Sequence, residues 1–415
     1  MSVSELANGS VFSPGWNSIV RSTPLADTRA RDASFDYLRT SIILLDVLYH
    51  SVLAYAVPWQ SQPGTSGMFG AAIVDAQAWI GFSFLATFTD SFFMALMFLL
   101  SGLFVWPSLQ RKGCAKFLRD RSVRLGLPFV VVVGLLMPLA YYPVYAVTAD
   151  DPGVLAYARA WLALGYWPGG PAWFIWLLLV FDALAAGLYA LRRRWPSRYA
   201  ARHAGVLQRP TAFILVLLVI SALVYVPLEL TLGAERWLTL GPFAFQASRL
   251  LLYAVYFFAG LLLGAYGIEA GFLARDSELA RRWPIWLAAG LAAFAFRLAA
   301  IALLPASDDV LPLPLIPRLL SDISFVLCCG TISFAFFAIF RRFADAHHFV
   351  FDKLSACSYG IYLVHYPIVV WLQFTLLALV LSPLAKAGIV YAGAATLTWG
   401  IVLALRRVPV IARVV

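Results

Sequence analysis

Charged residues are scarce in this sequence: Asp, Glu, Lys and Arg make up 13% of 415 residues, against 62% hydrophobic ones. Soluble domains carry about 25% charged residues, so this chain has about half the charge that a water-facing surface requires. A mean hydropathy of +0.82 points the same way and excludes an ordinary soluble fold. Cysteine is rare too. Cys114, Cys328, Cys329 and Cys357 show neither metal-ligand spacing nor the pattern of an extracellular disulfide framework, and no metal centre is expected. Strict apolar/polar alternation is also missing, which disfavours a transmembrane β-barrel. What the chain has instead is continuous apolar runs of about 20 residues, the length of a spanning helix. The expected fold class is all-α: a polytopic integral membrane protein.

Runs of spanning length lie at 38–57, 82–106, 123–147, 171–191, 211–232, 246–267, 284–304, 318–340, 356–382 and 386–405, about ten transmembrane helices. Most of the 31 lysines and arginines fall in the tails and in every second connection, as in Arg111–Arg124, Arg192–Arg209 and Arg341–Lys353. That asymmetry places both termini in the cytoplasm. It also turns the net charge of +10 into a topology signal, so no nucleic-acid partner is expected. Residues 1–33 are polar and lack an apolar core; they read as a disordered cytoplasmic tail, not a cleaved signal peptide. Residues 34–407 read as a single transmembrane domain and 408–415 as a short cytoplasmic tail. The connections at 58–78 and 148–170 are rich in Trp, Tyr, Pro and Gly, and fit ordinary connectors or interfacial lids equally well.

Ionisable groups inside spanning helices are costly, and each is a candidate for function. The first run, FDYLRTSIILLDVLYHSVLAYA, holds the richest set. His50 follows Arg39 by eleven residues, roughly 16 Å deeper and within about 20° on the helix face. Asp46 stands four residues before His50, where a carboxylate can orient an imidazole. His365, in SYGIYLVHYP, lies at nearly the same depth on the ninth run, so the two histidines could flank one polar cavity; a plain structural hydrogen bond beside Pro367 fits His365 equally well. Arg121 and Arg124 sit one helical turn apart at the cytoplasmic entrance of the third run. Paired guanidinium forks suit a polyphosphate, but by themselves juxtamembrane arginines more often serve topology and anionic lipid. Toward the outer side, Arg297 lies within the seventh run, Arg318 and Asp322 are spaced as an i,i+4 pair, and Glu229 and Arg249 lie near helix ends.

These segments coincide with a family pattern. FDYLR with ten residues to His50, FMALMFLLSGLF ending in Ser101-Gly102, FLRDRSVRLGLP, AWFIWLLL with Trp173-Phe174, YFFAGLLLG and SYGIYLVHYP together resemble the membrane-bound acyltransferase-3 family over roughly residues 34–380. LRDRSVRLGLP, AWFIW and IYLVHYP look most like its periplasmic-glucan succinyltransferase branch. The resemblance implies a multi-pass enzyme of the bacterial cytoplasmic (inner) membrane. Such an enzyme moves an acetyl or succinyl group from cytoplasmic acyl-CoA, as co-substrate, to a hydroxyl of a sugar or glycan acceptor at the periplasmic side. It implies catalytic roles for Arg39 and His50, with Asp46 added as a local hypothesis because it stands outside the family pattern. It implies a CoA site at Arg121 and Arg124; the physical reading adds Arg39 to that site and expects acceptor contacts at Trp173, His365 and Arg297. Pro171 stands where glucan-modifying relatives often carry His before Trp-Phe. A transporter or flippase of a polar solute would bury the same residue types and is the alternative.

Overall fold

The computed structural model describes residues 33–57, 71–191, 204–233, 236–304, 314–344, 346 and 348–414. The tail up to Asp32, the Arg192–Arg194 run and most of the 58–78 connection lie outside these. Ten long helices account for the ten expected runs: α1 Ala33–Leu53, α2 Ile80–Lys112, α3 Cys114–Thr148, α4 Gly170–Leu191, α5 Pro210–Leu232, α6 Leu250–Tyr266, α7 Trp283–Ala302, α8 Leu315–Phe343, α9 Phe349–Leu376 and α10 Pro383–Leu405. Eight are long and apolar enough to cross a membrane. The other two are α6, at 17 residues, and α1, whose apolar character is interrupted by Asp36, Arg39 and Asp46. At 1.5 Å per residue, the 21 residues of α1 still reach about 30 Å, the thickness of a hydrocarbon core. The protein is an all-α, multi-pass membrane protein.

Small residues decide how closely the helices meet. A Cβ added at Gly260 or Gly264 of α6 would fall 2.1 Å from the Leu99 carbonyl or 2.0 Å from the Leu103 carbonyl of α2; one at Gly102 would fall 2.1 Å from the Phe257 carbonyl. In lipid, where apolar burial gives no driving force between helices, such backbone contact is a main source of helix association. The Ser-Gly and AGLLLG segments therefore form one crossing, between α2 and α6.

Side-chain bonds fix the register of the helices around the site. At one end Tyr37 donates to Asp352 (2.6 Å) and Thr40 meets Ser355 (2.8 Å), while at the other Gln373 donates to the His50 carbonyl (2.8 Å). Thus α1 and α9 run parallel. The Gln373 amide also reaches the Ser51 carbonyl (3.3 Å), so it satisfies carbonyls that the last turn of α1 leaves without helical partners. Arg406, at the end of α10, bonds the Ala356 carbonyl near the start of α9, which makes these two helices antiparallel. Arg341 of α8 joins Ser34 (3.0 Å) and Glu269 (2.8 Å), placing that basic connection at the same end as the start of α1. The opposite end is closed by a fully buried Lys386–Asp75 pair (2.6 Å), with the Asp75 amide bonded to the Ala54 carbonyl.

The connection at 148–170 contains a short helix, Val154–Ala163, tied back to α3 by Tyr157 on the Pro138 carbonyl (2.6 Å). Between α5 and α6 a hairpin pairs β1 Trp237–Leu240 with β2 Phe243–Gln246. Its two-residue turn places Gly241 at φ +60°, followed by Pro242, the positive-then-fixed φ sequence that a primed hairpin turn needs. Trp176 of α4 bonds the Ala244 carbonyl (3.0 Å) and holds the hairpin against the bundle.

Candidate active site

Asp46 and His50 lie on one face of α1 because they are four residues apart, and α9 brings His365 to meet them. Asp46 Oδ1 is 3.6 Å from His50 Nε2, and Asp46 Oδ2 is 3.5 Å from His365 Nε2. The two imidazole rings lie 5.4 Å apart, centre to centre. His365 is completely buried and Asp46 nearly so, whereas the His50 side chain keeps 15% exposure. His365 Nδ1 lies 2.6 Å from the Tyr362 carbonyl. A carbonyl only accepts, so the hydrogen sits on Nδ1, and Nε2 of the neutral ring presents its lone pair to Asp46. His50 turns Nε2 to Asp46, which leaves Nδ1 as the nitrogen able to face a substrate. Tyr49 and Tyr366 flank the His50 ring edge-on at 5.1 and 5.2 Å.

Toward the basic end, Arg39 is 35% exposed, pairs with Asp36 (3.2 Å) and lies over the Phe104 ring (5.7 Å). Arg121 and Arg124 are not on a regular helical turn. A π-helical segment, Ser122–Gly126, begins directly after Arg121, and a second follows at Val132–Leu136. Widened turns of this kind re-aim side chains. Arg121 points inward, with Nε 3.1 Å from buried Asp182 of α4 and its guanidinium over Phe117 (5.3 Å). Arg124 is exposed, and its carbonyl accepts from Tyr359 of α9 (2.5 Å). Tyr359 stands one turn beyond Ser355, which holds Thr40 beside Arg39. Residues of α1 and α3 thus approach one face of α9 at adjacent turns.

The remaining expected site residues lie elsewhere. Trp173 follows the first turn of α4, Gly170–Ala172, and stacks on Tyr253 (5.6 Å); the Phe174 and Tyr362 rings stand between it and His365. Pro171 contributes its carbonyl, which accepts from Tyr362 (2.5 Å). Arg297 belongs to a second polar cluster, where it donates to the carbonyl (2.7 Å) and hydroxyl (2.6 Å) of Ser321. There Arg249 binds Asp90 through both guanidinium arms (2.7 and 2.8 Å), and Arg249 and Arg297 share the Phe325 ring at 4.5 and 5.5 Å. Arg318, four residues before Asp322, also reaches the end of α5, with its guanidinium 3.6 Å from the Glu229 carboxylate. It donates to the Glu229 and Leu230 carbonyls (3.3 and 3.0 Å), because the last turn of α5 supplies unpaired acceptors.

Several contributors were missed in the sequence. Asp182 and Asp90 each interrupt an apolar run, a signal as visible as Asp46. Gln373 and Tyr362 carry no such signal, since their roles follow from packing. The possibility that Asp46, His50 and His365 offer one ligand atom each within 4.8 Å also needed the fold to bring α9 against α1.

A multi-pass helical bundle with a buried carboxylate held between a buried and a partly exposed histidine defines a membrane-embedded protein with a polar cluster inside its helices. A family model described as an acyltransferase domain, acyltransferase 3, matches residues 32–405. The chain belongs to the acyltransferase-3 family and is an acyl-transferring membrane enzyme. Comparison with curated proteins and with solved structures found no match.

Proposed function

We propose that this enzyme transfers an acetyl or succinyl group from cytoplasmic acyl-CoA to a hydroxyl of a sugar or glycan at the periplasmic side of the bacterial inner membrane. The observation that carries this reading is the alignment along α9 of the arginines at one end with the Asp46–His50–His365 cluster further in. CoA is an anionic head on a thin arm. Arg121, Arg124 and Arg39 would hold its phosphates, and the pantetheine arm would lead the thioester toward His50.

In the proposed step, His50 Nδ1 takes the proton of the acceptor hydroxyl as its oxygen attacks the thioester carbonyl carbon. The new C–O bond forms, the C–S bond breaks, and the CoA thiolate leaves and recovers the proton from His50. Asp46 faces His50 Nε2 and favours the tautomer with a lone pair on Nδ1. His365 stands across the cluster and completes the polar wall where charge develops on the carbonyl oxygen. Trp173, in its aromatic layer, would present a stacking face to a sugar ring, and Pro171 in place of His narrows the likeness to the glucan succinyltransferases.

The reading is tested by incubating the purified protein with acetyl- or succinyl-CoA labelled in the acyl group, and by mass spectrometry of surface and periplasmic glycans from cells with and without it. Donor binding, label release and a missing glycan mass of one acyl group support it. A protein that moves a polar solute and ignores both donors would overturn it.

A further inference from the structure

The separations within the Asp46–His50–His365 cluster do not suit hydrogen bonds. Histidine–carboxylate hydrogen bonds fall at about 2.7–3.2 Å, and here both N–O distances exceed that, at 3.5 and 3.6 Å. Asp46 Oδ2 and His365 Nε2 are buried and have no hydrogen-bond partner, although they face each other. With its hydrogen committed to the Tyr362 carbonyl, His365 turns a lone pair toward carboxylate lone pairs. That arrangement is repulsive unless a positive charge sits between the groups. A shared proton would draw them to hydrogen-bond distance. A tetrahedral ion with bonds of about 2.0–2.2 Å instead holds its ligand atoms about 3.3–3.6 Å apart, the separation between each imidazole nitrogen and the carboxylate oxygen it faces, and one ligand atom from each of the three residues lies within 4.8 Å of the others.

The surroundings fit the same occupant. Two imidazole nitrogens and one carboxylate oxygen form a donor set for zinc-like ions and not for calcium or magnesium, which take oxygen ligands. The Nδ1–H of His365 on a backbone carbonyl is the bond that commonly orients a metal-ligating histidine. His50, the only partly exposed member, marks the side on which a fourth ligand position would open.

We infer that Asp46, His50 and His365 form a three-ligand site for a divalent transition-metal ion such as zinc, and that its occupancy switches acyl transfer off. The second half rests on the function proposed above: an ion on His50 Nε2 leaves the ring hydrogen on Nδ1, the atom that must accept the proton. The loaded and metal-free enzymes would then differ in whether His50 can act as a base.

The test uses the full-length chain in detergent, incubated with ZnCl2, exchanged into metal-free buffer and analysed for zinc beside Asp46→Asn and His365→Gln. About one zinc per chain is expected, with affinity at least about tenfold weaker in each variant. Cobalt(II) added to the unmutated protein should give the intense visible bands of a four-coordinate site, a readout that does not depend on the variants folding. Less than about a tenth of an equivalent of zinc in the unmutated chain, or equal zinc in folded variants, overturns the site. Transfer from labelled acyl-CoA should fall as zinc is added and recover with chelator; transfer that rises with zinc overturns the switch. The two proposals fail separately: turnover without zinc binding removes the metal site and leaves acyl transfer standing, whereas zinc binding without turnover under any metal condition removes the proposed function and leaves the site.

Discussion

Two regions of this bundle bury ionisable side chains, and they are built differently. In the cluster of α2, α6, α7 and α8, each arginine finds a strong acceptor: Arg249 has both oxygens of Asp90 within 2.8 Å, and Arg297 has Ser321 within 2.7 Å. Arg318 completes it by capping α5. In the Asp46–His50–His365 cluster the facing atoms stand 3.5–3.6 Å apart, and two are without a hydrogen-bond partner. The first region uses charge to join helices. The second sets two imidazoles and a carboxylate face to face beyond hydrogen-bond distance, and it is the region on which the proposed acyl transfer draws. Burial of charge in a membrane is expensive in both, and buried polar atoms without a hydrogen-bond partner occur in both, at Arg249 Nε, Arg297 Nε and Asp322 Oδ2 as well as at Asp46 Oδ2 and His365 Nε2; what separates the regions is the pair of imidazoles facing one carboxylate.

The sharpest way to break this contrast is to remove one member from each region. His50→Ala should lower acyl transfer by about 10²–10⁴-fold, the range for loss of a general base, with the thermal unfolding midpoint almost unchanged. Asp90→Ala should do the reverse. It strands Arg249 and should cost about 3 kcal/mol of stability, seen as a lower unfolding midpoint, with transfer per folded molecule retained. Replacing Arg121 and Arg124 together by Gln should weaken acyl-CoA binding about 30-fold, or about 2 kcal/mol, with a smaller effect on turnover at saturating donor. Titration of donor binding checks this, and unchanged affinity would return the pair to a role in topology. The smallest effect is expected at the α2–α6 crossing: Gly264→Ala, which drives a methyl group toward the Leu103 carbonyl, should cost about 1–2 kcal/mol of stability by overpacking.

Most of the architecture was legible because a membrane imposes length and polarity on every segment. All ten runs became helices, and the basic connections at Ser34, Glu269 and Arg341 meet at one end. The pairing of Asp46 with His50 followed from helical spacing alone. His365 could be placed at the right depth, but only the Tyr37–Asp352 and Gln373–His50 bonds reveal that α9 lies against α1. The relation of Arg121 to Arg124 was read as one regular turn and is not, since π-helical turns leave no simple trace in composition. Arg297 shows the opposite limit. As an ionisable residue in mid-helix it stood out in the sequence, but the sequence could not reveal the Ser321 and Phe325 partners that engage it. Asp182 illustrates a third case: a buried carboxylate whose meaning depends on which arginine reaches it.

The central claim is that the Asp46–His50–His365 cluster transfers the acyl group and the Asp90–Arg249–Arg297 cluster does not. Side-by-side single-turnover transfer from labelled acyl-CoA, normalised to folded protein, compares His50→Ala with Asp90→Ala directly. The account predicts loss of at least about 100-fold for His50→Ala and less than about threefold for Asp90→Ala. Retained transfer in folded His50→Ala, or equal loss in both, would contradict it.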